Sequence, residues 1–281
     1  MTTNRIESKV SASTPVTGVR PVITLITGGS SGIGLELARQ AAADGSDLIL
    51  VSRDEPALKA AAEELGRHVR VETICSDLSQ PGAAESVYRQ VMASGRLVSA
   101  LINCAGFGDY GPFAASNLSK QEQMIAVNVT ALTALTRLFL PTMLERHSGH
   151  ILNVASVTGF LPGPLMSVYF ATKHYVLAFS ESLIEELRGS GVRVTVLCPP
   201  PVKTGFVQTA QIASGNYMAT TRTTPAEVGR YGYRMMKQGK AIAVYSVRYR
   251  FLTSVLVRIV PRVGLRWLLH RLNAQGASSL A

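Results

Sequence analysis

The feature that most constrains this chain is the run GGSSGIG, residues 28–34, set between an apolar stretch and a helix-patterned one. Residues 22–27, VITLIT, are β-branched and aliphatic and read as a strand buried on both faces. LELARQAAADG follows, with Leu35, Leu37, Ala38, Ala41 and Ala42 at helical spacing and Gly45 as the stop. A strand, a glycine loop and a helix in this order suit a dinucleotide. Gly28 permits a tight turn, while Gly32 and Gly34 let backbone approach a pyrophosphate and let helix pack close to strand. The helix start then offers free N–H groups and a positive dipole end to the phosphates.

The alternation continues. Residues 47–52, 69–74, 97–102, 150–155, 192–197 and 241–246 read as further strands, separated by helical stretches. This predicts an α/β fold of the Rossmann type: a doubly wound parallel sheet of about seven strands with helices on both faces, in the order 3-2-1-4-5-6-7. The end of the second strand is where an adenosine ribose should lie. Ser52 and Arg53 stand there instead of an acidic residue, and a hydroxyl with a guanidinium suits a 2′-phosphate. The expected cofactor is therefore NADP(H) in preference to NAD(H). Asp77, after the third strand, either accepts a hydrogen bond from an adenine amino group or caps the next helix. Asn103-Cys104-Ala105-Gly106, after the fourth, is small enough to let a ribose lie on the backbone.

Tyr169 and Lys173, in YFATK, share one side of a helix. A fixed ammonium favours phenolate and lowers a tyrosine pKa toward a range where it exchanges protons with an alcohol or carbonyl oxygen. Ser156 stands at the C-terminal end of the fifth strand, where open parallel sheets bind ligands. Asn128 interrupts the apolar helical stretch 119–146. It is either a satisfied structural amide or marks a kink or a water held for a proton relay.

Together these motifs resemble the short-chain dehydrogenase/reductase family, in its compact single-domain form. TGGSSGIG at 27–34, Asp77, NCAG at 103–106, Asn128, Ser156 and YFATK at 169–173 match its motifs in order and spacing over about residues 21–246. The resemblance implies Tyr169 as general acid/base, Lys173 binding the nicotinamide ribose and lowering the tyrosine pKa, Ser156 holding the substrate oxygen, and Asn128 holding a relay water. Cofactor contacts carried over are Gly28, Ser30, Ser31, Gly32, Ile33, Gly34, Ser52, Arg53, Asp77, Leu78, Asn103, Ala105, Gly106, Tyr169, Lys173, Pro199, Val202 and Thr204. Pro200 departs from the family's usual glycine and puts the local backbone path in question. The implied reaction is hydride transfer between nicotinamide and a carbonyl or secondary alcohol, in a homodimer or homotetramer. A non-catalytic NADP(H)-binding sensor or scaffold is the alternative. A sugar-nucleotide epimerase shares the loop and the Tyr–Lys pair but usually needs a longer C-terminal domain.

Residues 205–224 have mixed polarity and correspond to the family's substrate lid. Phe107, Phe160, Leu165, Phe206, Ile212 and Tyr217 are candidates to line an apolar substrate pocket. Thr-Pro-Ala-Glu at 224–227 is a helix-start signature. The formal net charge of the 281 residues is +10, and no acidic residue follows Glu227 whereas ten lysines and arginines do. Residues 247–281 therefore form a basic, apolar extension, in which Arg258, Arg262 and Arg266 recur among aliphatic residues. It either rests on anionic lipid or covers the protein's own core or a subunit interface. This tail resembles that of a subgroup with bacterial DltE-like proteins and reductases of long-chain acyl or steroid-like substrates. Residues 1–20 read as a polar leader without a signal-peptide core, and Cys75, Cys104 and Cys198 lack metal-ligand spacing. The expected setting is cytoplasmic, with contact at a membrane surface as the variant; no metal and no nucleic-acid partner is expected.

Overall fold

The computed structural model describes residues 22–212, 216, 218 and 221–274. The leader and Tyr217 lie outside them. Seven strands form one sheet: β1 (Ile23–Thr27), β2 (Asp47–Ser52), β3 (Val71–Cys75), β4 (Val98–Asn103), β5 (Gly149–Val154), β6 (Val192–Cys198) and β7 (Ile242–Val244). Their order is β3-β2-β1-β4-β5-β6-β7, and every pairing is parallel, as the alternation predicts. The last strand is shorter than its apolar run because Ser246, at φ 75°, turns the chain out of the sheet.

Side chains alternate across the strands, so both faces carry a core. Leu25, Ile49, Leu101 and Ile151 face one layer, against Leu135, Phe139 and Met143. Ile26, Leu50, Ile102 and Leu152 face the other, against Leu37, Ala38, Ala41 and Val228. The helices supplying these layers are α1 (Gly32–Ala43), α2 (Glu55–Leu65), α3 (Ala83–Ala93), α4 (Leu118–Ile125), α5 (Leu132–Glu145), α6 (Ser167–Glu186), the short α7 (Phe206–Thr209) and α8 (Pro225–Lys237). Thr224 and Glu227 form the expected capping box at the start of α8. The continuous segment Leu118–Glu145 is long and apolar enough to cross a membrane by length and composition alone. Here it packs Leu135, Phe139 and Met143 into the sheet's core.

The extension is helical. α9 (Val247–Phe251), a π-turn (Leu252–Leu256) and α10 (Val257–Ile259) run on without interruption, and α11 (Arg262–Ala274) follows Pro261. Leu265, Leu269 and Asn273 face inward and are buried. Asn273 acts as a latch. Its backbone oxygen accepts from the Tyr110 hydroxyl at 2.5 Å and from Asn216 Nδ2 at 3.1 Å, and its own Nδ2 donates to Pro164 O at 2.7 Å.

The turn from α6 into β6 depends on two glycines that differ in one respect. Gly189 (φ 81°) and Gly191 (φ 87°) are both left-handed. A Cβ on Gly191 would lie 1.9 Å from His147 O, whereas one on Gly189 would meet nothing within 4 Å. Gly189→Ala therefore adds only backbone strain, about 1–2 kcal/mol. Gly191→Ala adds overpacking of about 1–3 kcal/mol to the same strain. Thermal unfolding of the two variants is expected to place the melting temperature of Gly191→Ala clearly below that of Gly189→Ala. Equal melting temperatures would refute the close approach of Gly191 to His147.

Candidate active site

Strand order reverses at β1, whose neighbours β2 and β4 lead the chain away on opposite sides. A crevice opens beyond the C-terminal ends of such strands. In this protein it is a cavity of about 540 Å³. The glycine loop after β1 forms one wall. Gly28 has φ 68°, and a Cβ there would lie 3.0 Å from the backbone of Ala105. A Cβ on Gly34 would lie 2.1 Å from Gly28 O. Thr27 Oγ1 accepts N–H from Cys104 and Ala105, at 3.1 Å each, and fixes the exit of β4 against that of β1.

At one end of the cavity stand Ser52, Arg53, Asp77 and Leu78. Ser30 Oγ donates to Ser52 Oγ at 2.9 Å, which joins the glycine loop to the end of β2. Asp77 Oδ1 accepts from Ser79 N at 3.0 Å and from Ser79 Oγ at 2.8 Å. Burial pushes this carboxyl upward, but those hydrogen bonds outweigh it and hold the pKa below the usual carboxylate value. Asp77 thus folds its own turn; α3 is instead preceded by Gly82 at φ 76°.

At the other end stand Ser156, Tyr169 and Lys173. β5 delivers Ser156, whose Oγ accepts from Thr158 N at 3.1 Å and donates to Pro199 O at 3.4 Å. α6 carries Tyr169 and Lys173 one turn apart, as the spacing predicts, with Nζ 5.8 Å from the centre of the tyrosine ring. Both side chains are buried. Lys173 Nζ donates to Val154 O at 2.9 Å. Burial alters the electrostatics expected from sequence. It pushes the Tyr169 phenol up to about 12, with the Ser156 and Thr158 hydroxyls pulling back only part of the way. It also lowers Lys173 to about 8. In the protein alone, desolvation of the phenolate, and not the nearby ammonium, dominates the Tyr169 pKa.

The cavity brings together nearly all the described residues singled out from sequence, with five exceptions. Asn103 turns its amide into the core, where Nδ2 donates to Thr136 Oγ1 at 3.1 Å and Asn153 Oδ1 at 2.9 Å. A strand end alternates its side chains, and this one falls on the side away from the cavity. Asn128 sits in a π-turn (Ala126–Ala131) between α4 and α5. Its Oδ1 accepts from Phe107 N at 3.1 Å, and its Nδ2 donates to Phe107 O at 3.0 Å and Thr172 Oγ1 at 3.1 Å. The side-chain amide is therefore committed to protein partners. Thr172 Oγ1 donates in turn to Tyr169 O at 2.7 Å, so Asn128 ties the loop after β4 to the helix bearing Tyr169. Phe160 and Leu165 pack behind the wall and not on it, as does Ile212. Phe107 and Phe206 do line the cavity, and Phe206 lies against Tyr169 with ring centres 5.1 Å apart.

Pro199, Pro200 and Pro201 line the cavity beside Val202 and Thr204. Pro199 O accepts from Val157 N at 3.0 Å, which anchors this backbone to the turn after β5. Met218 and, from the extension, Tyr249, Leu252, Leu269 and Leu272 complete the lining. These were not singled out from sequence. The apolar positions 265, 269 and 272 are at helical spacing, but the arginines between them fit an outward role as well as an inward one.

These residues fit a nicotinamide dinucleotide. The cradle admits no side chain at Gly34 and disfavours one at Gly28, the hydroxyl and guanidinium stand at one end, and the buried lysine and tyrosine stand at the other. Comparison with known proteins agrees. The family model for short chain dehydrogenases matches residues 22–214. A dehydrogenase/reductase SDR family member 7B from Danio rerio is 35% identical over 214 residues, covering 73% of this chain and 69% of the relative. The solved structure of a short-chain dehydrogenase from Sphingobium yanoikuyae in complex with NADPH superposes with a TM-score of 0.77 at 32% identity, covering 88% of this chain and 95% of that one. A short chain dehydrogenase/reductase from Burkholderia phymatum in complex with NAD gives a TM-score of 0.75 at 26% identity, covering 85% and 92%. The chain belongs to the short-chain dehydrogenase/reductase family of NAD(P)-dependent oxidoreductases.

Proposed function

We propose that the protein is an NADP(H)-dependent oxidoreductase acting on the carbonyl, or the matching secondary alcohol, of an apolar substrate. One observation carries this reading: Ser156, Tyr169 and Lys173 converge on the same cavity as the glycine loop, in a pocket walled by apolar side chains. When bound, the nicotinamide supplies the hydride in reduction and takes it in oxidation. In reduction, the Tyr169 hydroxyl gives its proton to the substrate oxygen as charge develops there, and Ser156 Oγ, turning its one O–H from the long bond to Pro199 O, holds that oxygen in place. A phenol with its pKa raised is fully protonated at neutral pH and ready to donate. Lys173 Nζ donates one N–H to Val154 O and keeps its other donors for a ribose hydroxyl. Asn128 positions this set through Phe107 and Thr172.

The substrate class follows from the walls around Tyr169. Phe107, Leu161, Phe206, Met218, Leu269 and Leu272 belong to one apolar cluster with the tyrosine. A pocket of this composition pairs poorly with an anionic substrate and well with a hydrocarbon body. Ser52 and Arg53, at the far end, favour a 2′-phosphate. Assembly as a dimer or tetramer would use the outward faces of α4 and α6, where Ile125 and Tyr175 are exposed.

The reading is tested in three ways. Tyr169→Phe is expected to lower kcat about 10²- to 10⁴-fold on a panel of apolar ketones. NADPH binding should survive in that variant, and full activity would remove Tyr169 from its role. Titration of NADPH and NADH is expected to favour NADPH, with a preference reduced about ten-fold in Arg53→Ala, the scale of one charge-assisted hydrogen bond. Equal binding of both cofactors, unchanged in the variant, would overturn the 2′-phosphate assignment. Finally, Lys173 is cationic below its lowered pKa of about 8 and neutral above it, while Tyr169 stays protonated throughout. The kcat/KM for reduction should therefore be flat below that value and fall as pH rises through it. A profile still rising there would contradict a role for the ammonium.

A further inference from the structure

The C-terminal helices have two faces, and the cavity accounts for only one. Tyr249, Leu252, Leu269 and Leu272 point inward and line it. On the opposite side, α9, the π-turn and α10 expose Val247, Phe251, Val255 and Ile259, each four residues after the last. Four residues overshoot one turn of an α-helix and fall short of one turn of a π-helix, so the two errors offset and the stripe stays aligned. α11 adds Val263, Trp267 and Leu268. The exposure is large: 72% for Ile259, 67% for Val263 and 58% for Trp267. A set of large apolar side chains this exposed marks an interaction surface.

Charge identifies the partner. Arg248, Arg250, Arg262, Arg266 and Arg271 are exposed among these residues. The Arg271 guanidinium stacks on Trp267, 4.1 Å from the ring centre. No acidic residue follows Glu227 in the sequence. A second copy docking through this patch about a two-fold axis would set arginines against arginines. An anionic bilayer answers both halves of the pattern: its acyl boundary takes the apolar side chains and its headgroups pair with the guanidinium groups.

We infer that the outer face of residues 247–271 docks on an anionic lipid surface. The cover of the cavity then lies against the bilayer, with one layer of helix between lipid and pocket. The inference stands on this face alone and does not require the reaction proposed above.

Trp267 is the chain's single tryptophan, so intrinsic emission reports this face directly. The full-length protein is titrated with phosphatidylcholine vesicles, with and without phosphatidylserine, and co-sedimentation is measured in parallel. A blue shift and co-sedimentation with the phosphatidylserine vesicles, weakened by salt, are expected. Arg262→Glu with Arg266→Glu should lower the vesicle affinity by roughly thirty-fold or more, on about 1 kcal/mol per lost arginine. Ile259→Glu with Val263→Glu should abolish the blue shift. Both double variants should keep wild-type NADPH affinity and melting temperature, because their side chains face away from the cavity. No blue shift with phosphatidylserine would overturn the inference. So would equal binding to both vesicle types, or a blue shift that grows with protein concentration in the absence of lipid.

Discussion

The site depends on how two parallel strands are held together where the sheet changes direction. Thr27 Oγ1 accepts the N–H groups of Cys104 and Ala105, residues 77 and 78 positions further along the chain. The hydroxyl satisfies two backbone donors that have left the β ladder and would otherwise be buried unpaired. It also sets Gly28 so close to Ala105 that a Cβ there would crowd the Ala105 backbone at 3.0 Å. With these strand ends joined, the helices that follow diverge and the crevice opens. The glycine loop, the exit of β4 and Ser156 after β5 then all face the same space.

Burial does more in this site than supply packing. It works against ionisation of Tyr169 and against protonation of Lys173, so both are drawn toward their neutral forms. A surface pair would be solvated and would hardly differ from free side chains. In the low-dielectric cavity, any charge that develops on a substrate oxygen interacts strongly with whatever donor is fixed beside it. Asn128 shows how such donors are fixed. Its amide closes hydrogen bonds with both backbone groups of Phe107 and with Thr172, from inside a π-turn that breaks the regular ladder of the long helix. Widened turns of this kind are commonly found at functional sites.

The extension lines the cavity on one side and is exposed on the other. Asn273 latches α11 to Tyr110, Asn216 and Pro164, next to Leu165, which holds the left-handed φ of 67° just before the helix of Tyr169. The cavity is therefore closed by a segment that lies beyond the residues matched by the family model. Variation in such an extension can retune a substrate pocket without disturbing the catalytic strands, in line with function residing in sites built upon a fold.

Much of this was legible in the sequence because it depends on local chemistry. Buried parallel strands leave continuous apolar runs, the glycines of 28–34 mark a tight strand–helix turn of the kind that cradles phosphate, and Tyr169 and Lys173 are one helical turn apart. Those patterns determined the strand order, the cavity's two ends and the family. What only the tertiary structure decided concerns direction and environment. Asn103 and Ala105 are two residues apart, yet the amide of one enters the core while the other faces the cavity, because that depends on how the strand end is seated. Phe160 and Leu165 are as apolar as Phe107 and Phe206, and composition alone could not tell wall from backing. The same holds for the electrostatics: a tyrosine and a lysine at that spacing suggest mutual charge stabilisation, but the degree of desolvation, which sets both pKa values, is fixed by everything packed around them. The basic tail was ambiguous for the same reason. Its sequence held two faces, and only the fold assigned one of them to the cavity.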